Sequence, residues 1–305
     1  PARRYEAPEP MNNERESYRM SVYRNLDQET LDHEYRIRDS IPLPEFESTI
    51  ARYGAISARM RDMPGARLDQ PFGPSPEEVL DIFPAGDETP LFVFIHGGYW
   101  RMLSQRESSF MAEPFTNAGI TVVAVNYGLA PATKLDEIVR QCRSAIAWIH
   151  ANAAEFGGDP RRIHIAGSSA GGHLVGMMLA GGWHSEFGVP EDVISGACAL
   201  SGIHDLEPIR LSEVNEWLDL DDAAVERNSP IRQLPTYGCP LIVSYGGNET
   251  EEFKRQTDEY AASWRARGYP CRHVDMASCN HFNLPLAWCD TESALTRAVF
   301  EQIGL

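Results

Sequence analysis

Nowhere in the 305 residues does an apolar run approach the roughly 18 residues that a bilayer-spanning helix requires. A membrane-spanning role is not expected. Cationic side chains are scarce, with 27 Lys and Arg against 44 Asp and Glu, giving a formal net charge of −17. So acidic a chain repels phosphate backbones and anionic lipid, and neither a nucleic-acid partner nor a membrane surface fits it. Cysteine is sparse and irregularly spaced. Cys142, Cys198, Cys239, Cys271, Cys279 and Cys289 form neither the dense framework of a small secreted domain nor a C-x-x-C pair, so free thiols in or near the core are expected. No histidine stands near the acidic run Asp219-Leu220-Asp221-Asp222 to complete a metal shell, and the run reads as a solvated helix start. Neither a metal nor a cofactor is expected. No repeat is visible, and the arginine-rich first residues carry no apolar h-region, which makes a cytoplasmic location the expectation and leaves a homo-oligomer open.

What the chain does have is glycine at telling places. Gly167-Ser168-Ser169-Ala170-Gly171 matches the G-x-S-x-G nucleophile elbow, with Ser169 at its centre. A serine in a sharp strand-to-helix turn sits in a strained backbone conformation, so its neighbours must be small. The flanks agree: residues 162–166 suit a short strand and 174–179 suit a buried helix. Upstream, Leu91-Phe92-Val93-Phe94-Ile95 reads as a strand buried on both faces, and it runs into His96-Gly97-Gly98-Tyr99-Trp100. Glycines there let backbone N–H groups approach a substrate oxygen, as in the oxyanion loop that accompanies such an elbow. On this reading the N–H groups of Gly98, Tyr99 and Ala170 hold the oxyanion, and Gly97 shapes the loop.

A base and an acid must follow the serine, in the order acid then histidine. Of the nine histidines, His33, His96, His150 and His164 precede Ser169, His173 lies in the following helix, His184 and His204 come too early, and His273 sits within an apparent strand. His281, in the loop just beyond that strand, is the candidate general base. Glu249, in the loop closing the apolar run 240–245, is the best candidate for the acid that orients it. Glu251 and Glu252 compete, although acids at a helix start are commonly just partners of its dipole. Trp100 and Trp183, each next to a glycine-rich turn, are candidate substrate-pocket residues. Cys279, two residues before His281, reads as a packed thiol more than a modulator of the site.

Along the chain, helices are expected over 12–24, 27–38 and 46–63, followed by a linker over 64–76, together forming an N-terminal helical cap and linker over 1–76. From residue 77 to 305, strands over 79–83, 91–95, 121–125, 163–166, 194–200, 241–245 and 272–275 alternate with helical stretches such as 134–155 and 251–267. That alternation predicts an α/β fold with a mostly parallel sheet flanked by helices, and ligands at the carboxyl ends of the strands. Residues 205–235 interrupt it and read as a second cap element.

The sequence resembles the α/β-hydrolase superfamily, and more narrowly its kynurenine formamidase-like branch and the related hormone-sensitive-lipase-type esterases. The marks are His96 to Trp100, Ser201-Gly202-Ile203-His204-Asp205-Leu206-Glu207-Pro208, Asn228-Ser229-Pro230, Glu249 to Gln256 and Glu34-Tyr35-Arg36-Ile37-Arg38. Two departures bear on specificity. The branch's formamidases usually carry aspartate at the position of Glu249, and Asn126-Tyr127-Gly128-Leu129-Ala130-Pro131 is equally similar to the esterases. The resemblance implies a cofactor-independent serine hydrolase for a small-molecule ester or amide, with carboxylesterase as the first expectation and arylformamidase as the second. A protein of this fold that only binds ligands is the remote third.

Overall fold

The computed structural model describes residues 20–305. Eight strands form one sheet in the order β1-β2-β4-β3-β5-β6-β7-β8. They are β1 (Arg67–Pro71), β2 (Val79–Phe83), β3 (Thr89–Ile95), β4 (Thr121–Val125), β5 (Gly158–Ser168), β6 (Gly196–Leu200), β7 (Leu241–Ser244) and β8 (Cys271–His273). β1 and β2 run antiparallel to their neighbours, and every pairing from β4 through β8 is parallel.

Alternation along the strands sorts the core into two layers, because successive side chains leave a strand on opposite faces. Leu91, Val93 and Ile95 join Val123, Ile163, Ile165 and Val243 in one cluster, while Phe92 and Phe94 join Phe83, Val122, Ala166 and Ile242 in the other. A one-residue slip in β3 would exchange the two sets. The first layer is closed by α1 (Gln28–Tyr35), α4 (Leu135–Asn152), α5 (Ala170–Leu179) and α9 (Glu251–Ala266), the second by α2 (Leu43–Arg61), α3 (Ala112–Asn117) and α10 (Ala294–Ile303). Leu135, Ile138, Val139, Cys142, Ala145, Ile146 and Ile149 are the buried stripe of α4, at helical spacing along one face. Between β6 and β7 lie three short helices, α6 (Glu207–Leu211), α7 (Asn215–Leu218) and α8 (Asp222–Asn228), where the strand alternation lapses.

Several expected boundaries shift. The stretch read as a linker contains β1, which pairs with β2 at the sheet edge with alternating exposure, so the sheet starts before residue 77. Its Arg, Asp and Gln carry no apolar pattern because an outermost strand needs none. Of the helix expected over 12–24, residues 12–19 lie outside the described residues, and residues 20–24 form a turn beside a Tyr23–Leu26 bridge instead. The last strand begins at Cys271 and ends at His273. All six cysteines are free, and Cys142, Cys198 and Cys239 are buried. No helix among the described residues is long and apolar enough to cross a membrane.

Candidate active site

Strand order changes direction at β3: β4 lies on one side of it and β5 on the other, which opens a crevice at their carboxyl ends. Register then aligns the loops. Ile95 pairs with Gly167, Ser168 with Leu200 and Leu200 with Ser244, so the residues that follow each strand emerge side by side. Ser169 N–H donates to the Leu200 carbonyl at 2.8 Å, and Ser201 N–H to the Ser244 carbonyl at 2.8 Å.

Ser169 caps α5 with φ 60° and ψ −120°, a left-handed conformation that the surrounding contacts must impose. Small neighbours make it possible. A Cβ on Gly171 would stand 2.1 Å from the Ile95 carbonyl oxygen, and one on Gly97 would stand 2.5 Å from that of Ser168. The loop after β3 and the elbow are therefore in backbone contact. Ala170 opens α5, where the first N–H groups have no intrahelical partner and the helix dipole favours negative charge. Across the crevice the loop runs through left-handed residues at Gly98, Tyr99 and Trp100 (φ 98°, 50° and 56°). His96 packs flat on Tyr127 at 4.1 Å, with Tyr127 Oη donating to the His96 carbonyl at 2.9 Å. Burial pushes the His96 imidazole down to about 4, so it stays neutral.

His281 and Glu249 meet as the sequence order requires. His281 Nδ1 lies 2.7 Å from Glu249 Oε2, and both residues are buried. With Nδ1–H donated to the carboxylate, Nε2 carries the free lone pair that a general base needs. Oε1 of Glu249 accepts from Gly246 N–H and from Ser201 Oγ–H, each at 2.6 Å. The two competing acids are engaged elsewhere: Glu251 pairs with Lys254 on the surface, and Glu252 accepts from Tyr35 Oη at 2.9 Å and pairs with Arg255. Cys279 is half-buried and its thiol is pushed up by burial, the opposite of an activated nucleophile.

Ser169, His281, Gly97, Gly98 and Tyr99 all line one cavity of about 340 Å³. Much of its wall is aromatic, built by Phe46, Tyr53, Phe94, Phe110 and Phe282, and Arg38 and Arg101 also border it. Phe46 and Phe282 meet edge to face at 4.9 Å. The two expected pocket tryptophans are not among its walls. Trp100 is fully buried beneath the loop, its left-handed backbone sending the indole against α5, where Nε1–H donates to His173 Nδ1 at 3.2 Å. His173 in turn donates Nε2–H to the Asn228 carbonyl at 2.7 Å. Trp183 is buried as well, with Nε1–H on the Met178 carbonyl at 3.2 Å. Both are core residues.

Ser201 stands in the sequence only among the marks of the resemblance, without a role, because its bond to Glu249 spans 48 residues and leaves no spacing signal. Sequence reasoning also missed the aromatic wall. Phe46, Ile50 and Tyr53 recur at helical spacing along α2, so a buried face was readable there, although what it faces was not.

Comparison with known proteins agrees with this architecture. Residues 80–198 match the BD-FAE family. The chain is 30% identical to a kynurenine formamidase of Danio rerio over 93% of its own length and 99% of that protein's. It is 32% identical to a kynurenine formamidase of Salmo salar, covering 81% and 85%. Among solved structures, a candidate thioesterase from Silicibacter superposes with a TM-score of 0.76 at 30% identity, over 88% of this chain and 97% of that one. A strained serine at the elbow, a neighbouring imidazole–carboxylate pair and this likeness along nearly the whole length converge: the chain is a hydrolase of the α/β-hydrolase superfamily and belongs to its kynurenine formamidase-like branch.

Proposed function

We propose that the protein is a serine hydrolase that cleaves the formyl amide of an aromatic amine bearing a carboxylate, of which N-formyl-kynurenine is the type. Ser169 Oγ attacks the formyl carbon while His281 Nε2 takes its proton, and Glu249 keeps the imidazole in the right tautomer. N–H groups of Gly98, Tyr99 and Ala170 hold the oxyanion. The C–N bond then breaks, His281 returns the proton to the leaving amine, and water attacks the formyl-serine with His281 again as base, releasing formate.

The observation that carries this reading is the cavity's make-up. Its size suits a small ligand, its wall suits a ring, and two guanidiniums border it in a chain whose net charge is −17. Arg38 lies 4.8 Å over Phe46 and Arg101 lies 3.6 Å over Trp217, each set on an aromatic face and able to offer donors to a carboxylate. α2 acts as part of the cap, since Phe46, Ile50 and Tyr53 line the cavity, whereas the insert over 205–235 lends it no wall residue and meets the loop after β3 through Trp217.

A second reading, a carboxylesterase for short or aromatic esters, is favoured by the glutamate at position 249 and by the esterase-like stretch 126–131. Side-by-side measurement of kcat/KM on N-formyl-kynurenine and p-nitrophenyl acetate separates the two. The formamide is expected to be preferred, and Arg38→Gln should raise KM for the formamide while sparing the neutral ester. Brisk ester hydrolysis with none of the formamide would select the second reading.

A further inference from the structure

The loop that follows β3 is held partly by its own turn, in which the Gly98 carbonyl accepts from Arg101 and Met102 N–H at 3.0 and 3.1 Å, and partly from outside. Tyr99, Trp100 and Leu103 are non-glycine residues in the left-handed region, with φ of 50°, 56° and 71°. A non-glycine residue keeps such a strained conformation only where its surroundings impose it. For Tyr99 the imposing groups are visible. Its hydroxyl donates to the Tyr35 carbonyl at 2.5 Å, and its own carbonyl accepts from Trp217 Nε1–H at 3.1 Å. The Tyr99 and Trp217 rings also meet edge to face at 6.0 Å.

Both anchors are themselves tied down. Tyr35 is buried at the end of α1, where its hydroxyl donates to Glu252 and accepts from Gln256 Nε2 at 2.8 Å. Trp217 sits on α7, in the insert between β6 and β7, and its other ring contact is the Arg101 guanidinium. The anchors approach from separate stretches of chain, 64 and 118 residues away from Tyr99. One fixes the side chain and the other fixes the carbonyl of the Tyr99–Trp100 peptide, while the preceding Gly98–Tyr99 peptide is held by the turn at the Gly98 carbonyl.

We propose that Trp217, through its indole N–H, and the Tyr99 hydroxyl bound to Tyr35 are positioning elements of the oxyanion hole. The two helical pieces that hold the loop, α1 and α7, then bear on the rate of the chemical step. A misaimed donor weakens the transition state, where charge gathers on the oxygen, much more than it weakens the ground state. This rests on the serine-hydrolase reading above.

The test uses the full chain and three single substitutions. Trp217→Phe keeps a ring and removes the N–H donor; Tyr99→Phe keeps the ring and removes the hydroxyl; Trp183→Phe makes the same change at a buried indole outside the site. With p-nitrophenyl acetate as substrate, Trp217→Phe and Tyr99→Phe are expected to lower kcat about 10- to 100-fold, a fraction of what losing a donor outright costs. KM should stay within about twofold, the mark of an interaction made in the transition state. Affinity for phenylboronic acid, which forms a tetrahedral adduct on the serine, should fall in proportion to kcat. Trp183→Phe should leave all three values in place. Should Trp217→Phe fail to fold by circular dichroism, Tyr99→Phe alone decides. Unchanged kcat in the loop variants, a loss confined to KM, or an equal loss in Trp183→Phe would overturn the proposal. Ser169→Ala separates it from its premise: activity surviving that change sinks the serine reading, whereas a dead Ser169→Ala beside intact loop variants sinks only the positioning.

Discussion

Two serines stand side by side at the elbow, and the backbone distinguishes them. Ser168 ends β5, whereas Ser169 takes the left-handed turn at the start of α5. Ser169→Ala is therefore expected to lower kcat by about 10⁴ to 10⁶ with the fold intact, and Ser168→Ala to leave most activity. A dead Ser168→Ala beside an active Ser169→Ala would put the nucleophile one residue earlier. The acid yields a finer prediction. Glu249→Ala should cost roughly 10² or more in kcat, because an unguided imidazole loses its tautomer. Glu251→Ala should be silent. Glu252→Ala should instead lower Tm, since that carboxylate ties α9 to Tyr35 of α1 and pairs with Arg255 one turn along α9. Ser201→Ala removes one of two donors on Glu249 Oε1 and should reduce kcat by a smaller factor than Glu249→Ala does. Equal losses for Glu249, Glu251 and Glu252 would leave the acid unassigned. Glu249 and His281 were readable because strand ends and chain order restrict where a triad member can lie. The Ser201 hydroxyl was not, since hydrogen-bond partners across a sheet obey no interval.

At the level of elements, strands buried on both faces were the plainest signal, and β3, β4 and β7 fall within a residue or two of where their apolar runs place them. Elements that bury little were hidden. β1 is five residues of alternating exposure at a sheet edge, and β8 has two exposed residues out of three. The insert of α6, α7 and α8 was visible only as a lapse in alternation, and its contact with the loop after β3 through Trp217 followed from nothing in its composition. The β5–elbow–α5 unit is the element with least tolerance. Gly171→Ala places a methyl carbon 2.1 Å from the Ile95 carbonyl oxygen, and neither backbone can move without shifting β3 against α5. The expected result is loss of activity together with a drop in unfolding free energy of several kcal/mol, in the range of severe overpacking. Wild-type activity and Tm in Gly171→Ala would mean that the elbow and β3 are further apart than described.

For the molecule as a whole, the fold buries several histidines and holds them neutral. His96, His164 and His173 are each pushed down to about 4 by burial, from a usual value of 6.5. The sign of the consequence follows from proton counting. Between about pH 6.5 and pH 4 the unfolded chain takes up protons at these three positions that the folded chain refuses, so unfolding is favoured as the pH falls through that window. Above about 6.5 both states are neutral and the contribution is complete. Each imidazole adds a slope of up to about 1.4 kcal/mol per pH unit within the window, steep against a total stability of about 5–15 kcal/mol. Asp136 and Asp159, whose pKa values are lowered by Arg227 and Arg161, add their loss at more acid pH, so the two contributions separate along the axis. Urea midpoints measured from pH 7.5 to pH 4.5 should decline from about pH 6.5 downward. His164→Asn should flatten that decline by close to one proton's worth, whatever it does to stability at neutral pH. A midpoint that stays level between pH 7 and pH 5 would mean that these imidazoles are protonated in the folded chain, and that the interior around them admits water.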